Sequence, residues 1–305
     1  MKTGIKIPPS DIALLGVTII AWIASCFLVL CCLALIELQT VIENRIGGIA
    51  VSTLDSSDIF STAPAEFKDA KDVSMVFVPA GWFIMGSDNG EDDEKPVRRI
   101  QLDAFYIDKY EVTNAQYKAC VESGICKPPT KKGYYNINQY FENSSYRSFP
   151  VIFVDWNMAK TYCEWRGARL PSEAEWEKAA RGTEGLTYPW GEGIDGTYAN
   201  YGTNYSQSVR GTILVGAYKK GKSIYGTYDM AGNVQEWVAD WYSRDYYSIA
   251  PVLNPKGPDS GQYRVLKGGA WHSNANLVRS ASRYWGNPES SAPHVGFRCA
   301  RTETP

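Results

Sequence analysis

The sequence has no cluster or run of basic residues, and histidine is scarce. Its 31 Lys and Arg residues are balanced by 33 Asp and Glu residues, so it lacks the basic surface that tracks nucleic-acid phosphates. We therefore expect no nucleic-acid partner. The two histidines, His272 and His294, together with one acid offer the ligand set of a two-histidine, one-carboxylate iron site, which stays an alternative.

The sequence also lacks the context that a serine nucleophile requires. Ser273 and Ser280 are not set in a nucleophile elbow or in a recognisable Ser/His/Asp set. Internal repeats and low-complexity tracts are missing too. With 305 residues, 44% of them apolar and 21% charged, the chain is predicted to fold with a sizeable core.

Charge is absent from one long segment near the N-terminus. Residues 12–36 contain no charged side chain, and 25 helical residues at about 1.5 Å each span a hydrocarbon core of about 30 Å. Lys2 and Lys6 precede this segment and Glu37 follows it. By the positive-inside rule, residues 1–11 are predicted to be cytoplasmic and the rest of the chain extracytoplasmic, periplasmic if the source is bacterial.

Two other interpretations of this segment were weighed. The apolar part of a signal peptide is only about 7–15 residues long, so the segment is too long for one. Ile23-Ala-Ser-Cys26 resembles a lipoprotein cleavage box, but the residues that follow stay apolar. We therefore predict an uncleaved, single-pass anchor, and lipidation of Cys26 stays open.

The seven cysteines divide by position. Three lie in the predicted membrane segment, where they are interpreted as small apolar fillers; the other four, Cys120, Cys126, Cys163 and Cys299, lie in the part predicted to face an oxidising compartment. An even number there predicts two disulfides. A Cys120–Cys126 bond would close a short loop, and a Cys163–Cys299 bond would close nearly the whole domain.

Composition changes after the anchor. Residues 37–73 are rich in Ser, Asp, Thr and Ala, which predicts a stalk or extended arm. Residues 75–86 predict two short strands separated at Pro79-Ala-Gly81, and residues 97–102 predict another. The acidic stretch 86–95 between them has no alternating ligand spacing, so we interpret it as a solvated loop.

Three helices are predicted from capping residues. They are Asn114–Glu122 after Thr113, Trp156–Trp165 after Asp155, and residues 173–181 after Ser172. In the third, Ser172 and Glu175 form a capping box, and Gly182 ends the helix. The rest, to Arg301, is rich in Gly, Asn, Tyr and Trp, which predicts many loops, few strands and packing by aromatic side chains.

The stretch Gly226 to Tyr242 combines turn residues, carboxylates and large aromatics. A tight turn would bring the carboxylates of Asp229 and Glu236, and the carbonyls of Gly232 and Val234, to one point. Such oxygen ligands suit Ca²⁺. The alternative is an ordinary turn at Gly232-Asn233 that is followed by two buried residues, Glu236 and Trp237. Long loops in a compact domain need disulfides or bound cations to hold them, which favours the metal site.

Seven segments, in the same order from about Met75 to Arg301, closely resemble the formylglycine-generating enzyme (sulfatase-modifying factor) family. They are Phe149 to Trp156, Ala159 to Trp165, Gly167 to Gly182, Tyr188-Pro-Trp-Gly191, Ala231-Gly-Asn-Val-Gln-Glu-Trp237, Leu266-Lys-Gly-Gly-Ala-Trp271 and Val295-Gly-Phe-Arg-Cys-Ala300. The resemblance implies one α+β domain over residues 74–305, related to C-type lectins, poor in regular secondary structure, and held by Ca²⁺ ions and a disulfide. That disulfide falls on Cys163 and Cys299.

The resemblance also implies two Ca²⁺ sites. One falls on the same four residues, Asp229, Gly232, Val234 and Glu236. The other falls on Asn200, the carbonyl of Tyr201, Gln207 and Val209. The family usually has an aspartate where Gln207 stands, and affinity follows the charge of the ligands. We therefore expect one structural Ca²⁺ and a weakened second site.

The sequence departs from the family at the active site. Members that oxidise a sulfatase cysteine use two thiols that bind Cu(I); counted back from Ser290-Ser-Ala292, these positions hold Ala275 and Ser280. Because soft sulfur ligands select Cu(I), we expect neither copper nor formylglycine formation. The residues expected to line the remaining pocket are Trp271, His272, Tyr284 and Trp285.

Three functions are compatible with these features. The first is a membrane-anchored, extracytoplasmic, non-catalytic binding or assembly subunit whose partner is a membrane or envelope protein. The second is an oxidoreductase with non-thiol metal ligands, and the third is a glycan-binding module. Trp190, Trp237 and Trp241 are interpreted as core residues, whereas Tyr284-Trp285 suits either a core or a recognition groove.

Overall fold

The computed structural model describes residues 65–133, 137–202 and 211–302, and we call the folded part that they form the head. The predicted anchor at residues 12–36, and the stalk up to residue 64, lie outside these residues. Within the described ranges, no helix is long and apolar enough to cross a bilayer.

The head combines short strands with short helices, as the predicted α+β class requires. In chain order the strands are β1 (Glu66–Lys68), β2 (Ser74–Val78), β3 (Gly81–Met85), β4 (Arg98–Leu102), β5 (Phe105–Asp108), β6 (Gln235–Trp241), β7 (Arg264–Lys267), β8 (Tyr284–Gly286), β9 (Val295–Phe297) and β10 (Ala300–Arg301). The helices are α1 (Asn114–Glu122), α2 (Trp156–Trp165), α3 (Glu173–Arg181) and α4 (Tyr246–Ile249).

Local capping explains why three of these helices begin where the sequence predicts. Thr113 accepts the amide of Gln116, whose side chain in turn accepts the amide of Thr113. Asp155 accepts the amide of Met158 at 2.8 Å to start α2. The predicted capping box of Ser172 and Glu175 starts α3, so all three predicted helix starts are confirmed.

The first sheet joins the beginning and the end of the head. Its antiparallel order is β1-β2-β5-β10. The guanidinium of Arg166, at the end of α2, bonds to Asp69 at 2.7 Å and to Asp108 at 2.7 Å, all buried. The predicted stalk boundary at residue 73 is therefore wrong, because β1 and Asp69 already belong to the folded head through long-range pairing.

The main structural difference from the sequence prediction is the sheet β8-β7-β6-β9. The region after Gly182 was expected to contain few strands, yet β6 runs for seven residues and pairs with β7 and, in parallel, with β9. The strands β3 and β4 form a separate hairpin. Because β6 begins at Gln235, the predicted metal-binding stretch is a turn that leads directly into a central strand.

Aromatic residues and paired charges fill the core. Trp176 and Trp237 are among the largest fully buried side chains, which confirms the core prediction for Trp237; Trp190 and Trp241 are half-buried. Helix α3 is buried on nearly all sides, including its charged residues. Its Glu177 pairs with Lys267 of β7 at 3.0 Å, so the ion pair compensates for the desolvation of both charges.

Both predicted disulfides are present, joining Cys120 to Cys126 and Cys163 to Cys299. The second bond ties α2 to the residue that precedes β10. The acidic stretch 86–95 is predicted to be a solvated loop, and Asp88, Glu91 and Asp92 are indeed exposed, but Glu94 is not. Glu94 is fully buried, and both of its oxygens accept from Arg279, at 2.8 and 2.7 Å, because a distant cation offers it a bidentate partner.

Candidate functional site

The turn that precedes β6 adopts an unusual backbone conformation. Asp229, Gly232 and Asn233 have φ values of 60°, 85° and 61°, in the left-handed region that only Gly, Asn and Asp visit routinely. The amide of Gly232 donates to the carbonyl of Gly268 at 2.8 Å. A side chain at Gly232 would bring its Cβ within 2.2 Å of the carbonyl oxygen of Asn200. The sequence therefore uses glycine where the turn passes closest to Asn200.

Asn233 fixes the turn through contacts with four separate segments. Its amide donates to the carbonyl of Asn200 at 2.8 Å, and its side-chain oxygen accepts the amide of Ile213 at 2.9 Å. Its side-chain amide donates to Glu111 at 2.5 Å, and its carbonyl accepts the amide of Trp271 at 3.0 Å. Asn233 thus holds the two predicted Ca²⁺ segments and the predicted pocket together.

Glu236 points into the core and is paired with Arg298. The guanidinium Nε and Nη2 of Arg298 each lie 2.7 Å from a different oxygen of Glu236, and the indole of Trp176 donates to the same carboxylate at 2.8 Å. Burial opposes the charge on Arg298, but Glu236 outweighs burial and raises the pKa of Arg298. Three donors therefore hold the carboxylate of Glu236 in a fixed position.

Asp229 and Glu111 supply two more buried carboxylates near this pair. Asp229 accepts the amide of Gly216 at 2.6 Å, and Glu111 accepts the amide of Val234 at 3.1 Å. Burial raises the pKa of Asp229 to about 6. Burial, followed by the charges of Asp229 and Glu236, raises the pKa of Glu111 well above its ordinary value.

The charges of this site suit a divalent cation. Three buried carboxylates, Glu111, Asp229 and Glu236, face one buried guanidinium, so full ionisation leaves a net charge of −2. Burying uncompensated charge is costly, and a divalent ion would remove that excess. The side chains do not converge by themselves: in the described ranges, no three His, Cys, Asp or Glu residues are grouped to hold a metal. Ligation would thus draw on the predicted carbonyls of Gly232 and Val234.

The predicted Ca²⁺ site that includes Asn200 and Tyr201 is described only in part. Asn200 and Tyr201 are buried, and the side-chain amide of Asn200 donates to the carbonyl of Gly211 at 3.0 Å. Gln207 and Val209 lie outside the described residues. The structure places the two predicted sites next to each other, because Asn200 contacts the turn before β6 at Gly232 and Asn233.

The positions implied for the two thiols lie at the start of a short 3₁₀ helix, Ala275–Val278, and just after its end. Ala275 begins it, and its carbonyl accepts the hydroxyl of Tyr188 at 3.2 Å. Ser280 follows it and is fully buried, and its hydroxyl has no hydrogen-bond partner in the part of the chain that the structure describes. Neither side chain presents a sulfur or an exposed nucleophile.

The predicted pocket residues separate into two groups. The rings of Trp271 and His272 lie 4.8 Å apart, as do the rings of His272 and His294. The hydroxyl of Tyr284 instead donates to the carbonyl of Leu277 at 2.7 Å. Trp285 is 52% exposed and contacts the surface rings of Tyr242 and Tyr263.

The two histidines are neutral imidazoles at neutral pH. Burial lowers the pKa of His272. Burial and the neighbouring His272 lower the pKa of His294 to about 4. Neutral imidazoles are competent metal ligands.

Sequence reasoning missed two residues of the buried charge cluster. Arg298 lies in the Gly-Phe-Arg-Cys segment that carries the family resemblance, but the resemblance assigns Arg298 no function. Glu111 had no local signal, because its partner Asn233 lies 122 residues further along the chain. A search for charges near the predicted carboxylates was possible only once the fold was known.

Comparisons with known proteins identify the family to which this head is similar. A family model described as "Sulfatase-modifying factor enzyme 1-like domain" matches residues 61–303. The serine/threonine-protein kinase Pkn1 of Chlamydia trachomatis serovar L2 is 41% identical over 243 residues, which are 74% of this chain and 38% of that protein. The chain thus spans well under half the length of this chlamydial relative.

Two further proteins share this part of the chain. The formylglycine-generating enzyme of Thermomonospora curvata is 35% identical over 283 residues, with coverage of 74% of this chain and 92% of that protein. The structure of PvdO from Pseudomonas aeruginosa has a TM-score of 0.66 and 28% identity, and covers 79% of this chain and 99% of that chain.

Proposed function

Because the chain belongs to the sulfatase-modifying factor family and its head has that family's fold, we propose that it is a non-catalytic binding or assembly subunit of that family. In this proposal, residues 12–36 anchor the protein in a membrane, and the head lies outside the cytoplasm. The head binds a membrane or envelope protein and does not make formylglycine.

This proposal rests on the side chains at positions 275 and 280. Ala275 has no ligating side chain, and the hydroxyl of Ser280 is completely buried. In the described part of the chain, each cysteine is already half of a disulfide. Cu(I) is selected by thiolates, so copper-thiolate oxidation has no ligand pair at these positions.

A conversion assay tests this proposal directly. The full chain in detergent is incubated with Cu(I), oxygen and a peptide that carries a sulfatase-type cysteine, with the enzyme of Thermomonospora curvata as positive control. We expect the peptide mass to stay unchanged with this chain and to fall to that of the aldehyde with the control. Conversion by this chain would overturn the non-catalytic proposal.

Partner binding needs a separate experiment. The full chain, tagged at its C-terminus, is purified in mild detergent, and co-purifying proteins are identified against a matched purification in which residues 65–302 are replaced by an unrelated domain. We expect a membrane or envelope protein that depends on the head. A head that elutes alone and turns over a substrate would contradict the assembly role.

We also propose that the turn before β6 holds one structural Ca²⁺. Asp229 and Glu236 would hold it with the carbonyls of Gly232 and Val234, and the ion would supply the positive charge that the buried carboxylates lack. At a Ca²⁺ concentration of about 100 times Kd, binding contributes about 2.7 kcal/mol. For a domain of this size that is roughly 5–10 °C in Tm.

The Ca²⁺ proposal is tested by thermal unfolding after chelation. Addition of Ca²⁺ to the chelated full chain is expected to raise Tm, and Asp229→Asn is expected to abolish most of that rise. Asp259→Asn, at an exposed carboxylate, is the matched control and should keep it. An equal rise in Tm with Ca²⁺ in both variants would contradict the assignment of Asp229 as a ligand.

A second candidate, metal-dependent oxidoreductase activity, is favoured by one observation. The ring centroids of His272 and His294 lie 4.8 Å apart, and both imidazoles are neutral. Metal analysis of the purified protein separates the two candidates: Fe or Cu in stoichiometric amount that is lost in His272→Ala supports an oxidoreductase. Ca²⁺ alone supports the binding module.

Glycan binding is a third candidate, and the exposed ring of Trp285 supports it. Sugars stack on exposed aromatic rings, and Trp285 lies 4.4 Å from the ring of Tyr263, so the two form an aromatic surface. A glycan array probed with the wild type and Trp285→Ala tests this. If the wild type binds no glycan on the array, glycan binding is eliminated as a candidate.

A further inference from the structure

A cavity of about 360 Å³ lies between α2, the chain that leads into α3, and the segments around residues 102–104 and 254–256. Apolar side chains, including Ala104, Leu170 and Pro255, form part of its wall, and charged side chains surround them. A mostly apolar wall with a few polar groups is typical of small-ligand sites. None of the residues assigned a role in the proposed function lines this cavity.

Arg264 of β7 forms the unusual part of the wall. Its guanidinium carbon lies 3.8 Å from the ring centroid of Trp156 and 3.4 Å from that of Trp241. Two indole rings therefore pack against the guanidinium. Arg264 also lines the cavity, so a ligand there can approach its terminal N–H groups.

The described residues leave Arg264 short of acceptors. Its Nη1 donates to the carbonyl of Ala239 at 2.6 Å. Its Nε is buried and has no hydrogen-bond partner among the described residues, and no carboxylate of that part of the chain forms a salt bridge with Arg264. Asp240 is near, but its carboxylate accepts the amide of Glu173. Burial lowers the pKa of Arg264 to about 10, with Asp240 opposing the shift only in part.

The remaining charges around the cavity are largely balanced. Arg169 pairs with Glu175 at 2.7 Å, and Lys160 pairs with Glu164. Lys256 is exposed at the rim and forms no salt bridge with the described residues. Asp103, also exposed, adds one negative charge to the wall and forms no salt bridge with the described residues. The wall therefore has a net charge of +1, with Arg264 inside the cavity and Lys256 and Asp103 at its mouth.

We propose that this cavity binds a monoanionic carboxylate with an apolar body, whose carboxylate meets the N–H edge of Arg264. The carboxylate can accept from the terminal Nη groups of Arg264, and a hydrogen bond between two charged groups is one of the strong ones. The single inner cation matches one negative charge, which favours a carboxylate over a dianionic phosphate. The apolar wall receives the body of the ligand, and Lys256 attracts the anion to the entrance.

Matched small probes test the charge requirement. Binding of pentanoate, pentanamide and pentylammonium to the full chain in nanodiscs is measured by saturation-transfer NMR, with empty nanodiscs subtracted. Because hydrogen bonds to a charged group are the stronger ones, we expect pentanoate to bind at least about tenfold more tightly than the amide. Equal binding of all three probes, or preference for pentylammonium, would overturn the proposal.

Three variants locate the site. Arg264→Gln is expected to weaken pentanoate binding at least about tenfold, and Lys160→Gln, whose cation is already paired, should leave it unchanged. If Arg264→Gln fails to fold, Ala104→Phe fills the cavity without touching Arg264 and should abolish binding. Undiminished binding in Ala104→Phe would show that pentanoate binds elsewhere, which refutes the site.

The source of the carboxylate is settled by peptides. A tetrapeptide that ends in leucine is compared with its C-terminal amide in the same assay. Binding of the free-acid peptide but not the amide assigns the cavity to a protein C-terminus. Binding of pentanoate alone assigns it to a small carboxylic acid, and binding of none of these ligands refutes the inference without affecting the copper-peptide test above.

Discussion

Replacement of Gly232 by alanine tests whether close packing of the turn on Asn200 stabilises the head. The new Cβ would lie 2.2 Å from the carbonyl oxygen of Asn200, a main-chain atom that also accepts the amide of Asn233. That oxygen cannot move away without loss of its hydrogen bond. The turn itself would have to shift, and with it the carboxylates of Asp229 and Glu236.

Gly124 provides the matched control for this substitution. It has φ of 77°, close to the 85° of Gly232, but its added Cβ would meet nothing within 4 Å. Both alanine variants pay the left-handed backbone cost of about 1–2 kcal/mol. Gly232→Ala adds roughly 1–3 kcal/mol for overpacking and about 1 kcal/mol for the weakened hydrogen bond. We therefore expect the two variants to differ by about 2–4 kcal/mol.

The difference is measured by urea unfolding of the full chain, followed by tryptophan fluorescence. Both variants are compared with the wild type under the same Ca²⁺ concentration, since a bound ion adds to stability. A loss in Gly232→Ala no larger than that in Gly124→Ala would refute the reasoning, because it would mean that the turn relaxes without cost.

Two further predictions concern the stability of the head. On the chain-entropy model, removal of the Cys163–Cys299 bond, which spans 136 residues, is expected to lower the free energy of unfolding by about 5 kcal/mol. Removal of the Cys120–Cys126 bond, which spans 6 residues, is expected to lower it by about 2 kcal/mol. Urea unfolding of the two double serine variants checks this, and equal losses would contradict it. Burial lowers the pKa of Lys178 to about 8 from 10.5, so above pH 8 the unfolded chain binds a proton that the folded protein has released, and stability rises with pH. Between pH 7 and 9.5 the wild type should gain about 2 kcal/mol relative to Lys178→Met, whereas a difference independent of pH would show that this lysine does not titrate as described.

Features set by neighbouring residues were predictable from the sequence. The capping residues Thr113, Asp155 and Ser172 located three helix starts, because a cap and its amide partner lie within three residues of each other. The disulfide pairing was predictable as well, from cysteine count and family resemblance.

Features set by distant partners were not predictable. The strand β6 depends on β7 and β9, so its own sequence, rich in turn signals at its start, gave little indication of a sheet. The bidentate pair of Glu236 and Arg298 joins residues 62 positions apart. The buried carboxylate of Glu94 likewise needed Arg279, 185 positions away. Such pairs exist only once the fold has brought them together.

The position of β1 determines how the head responds to mechanical force. Tension that reaches the head along the chain from its N-terminal side enters at Glu66–Lys68, a strand of three residues at the edge of its sheet. Behind this strand, the guanidinium of Arg166 ties Asp69 to Asp108 of β5, an inner strand of the same sheet. A force on β1 is therefore shared with a buried ion pair and with the middle of the sheet.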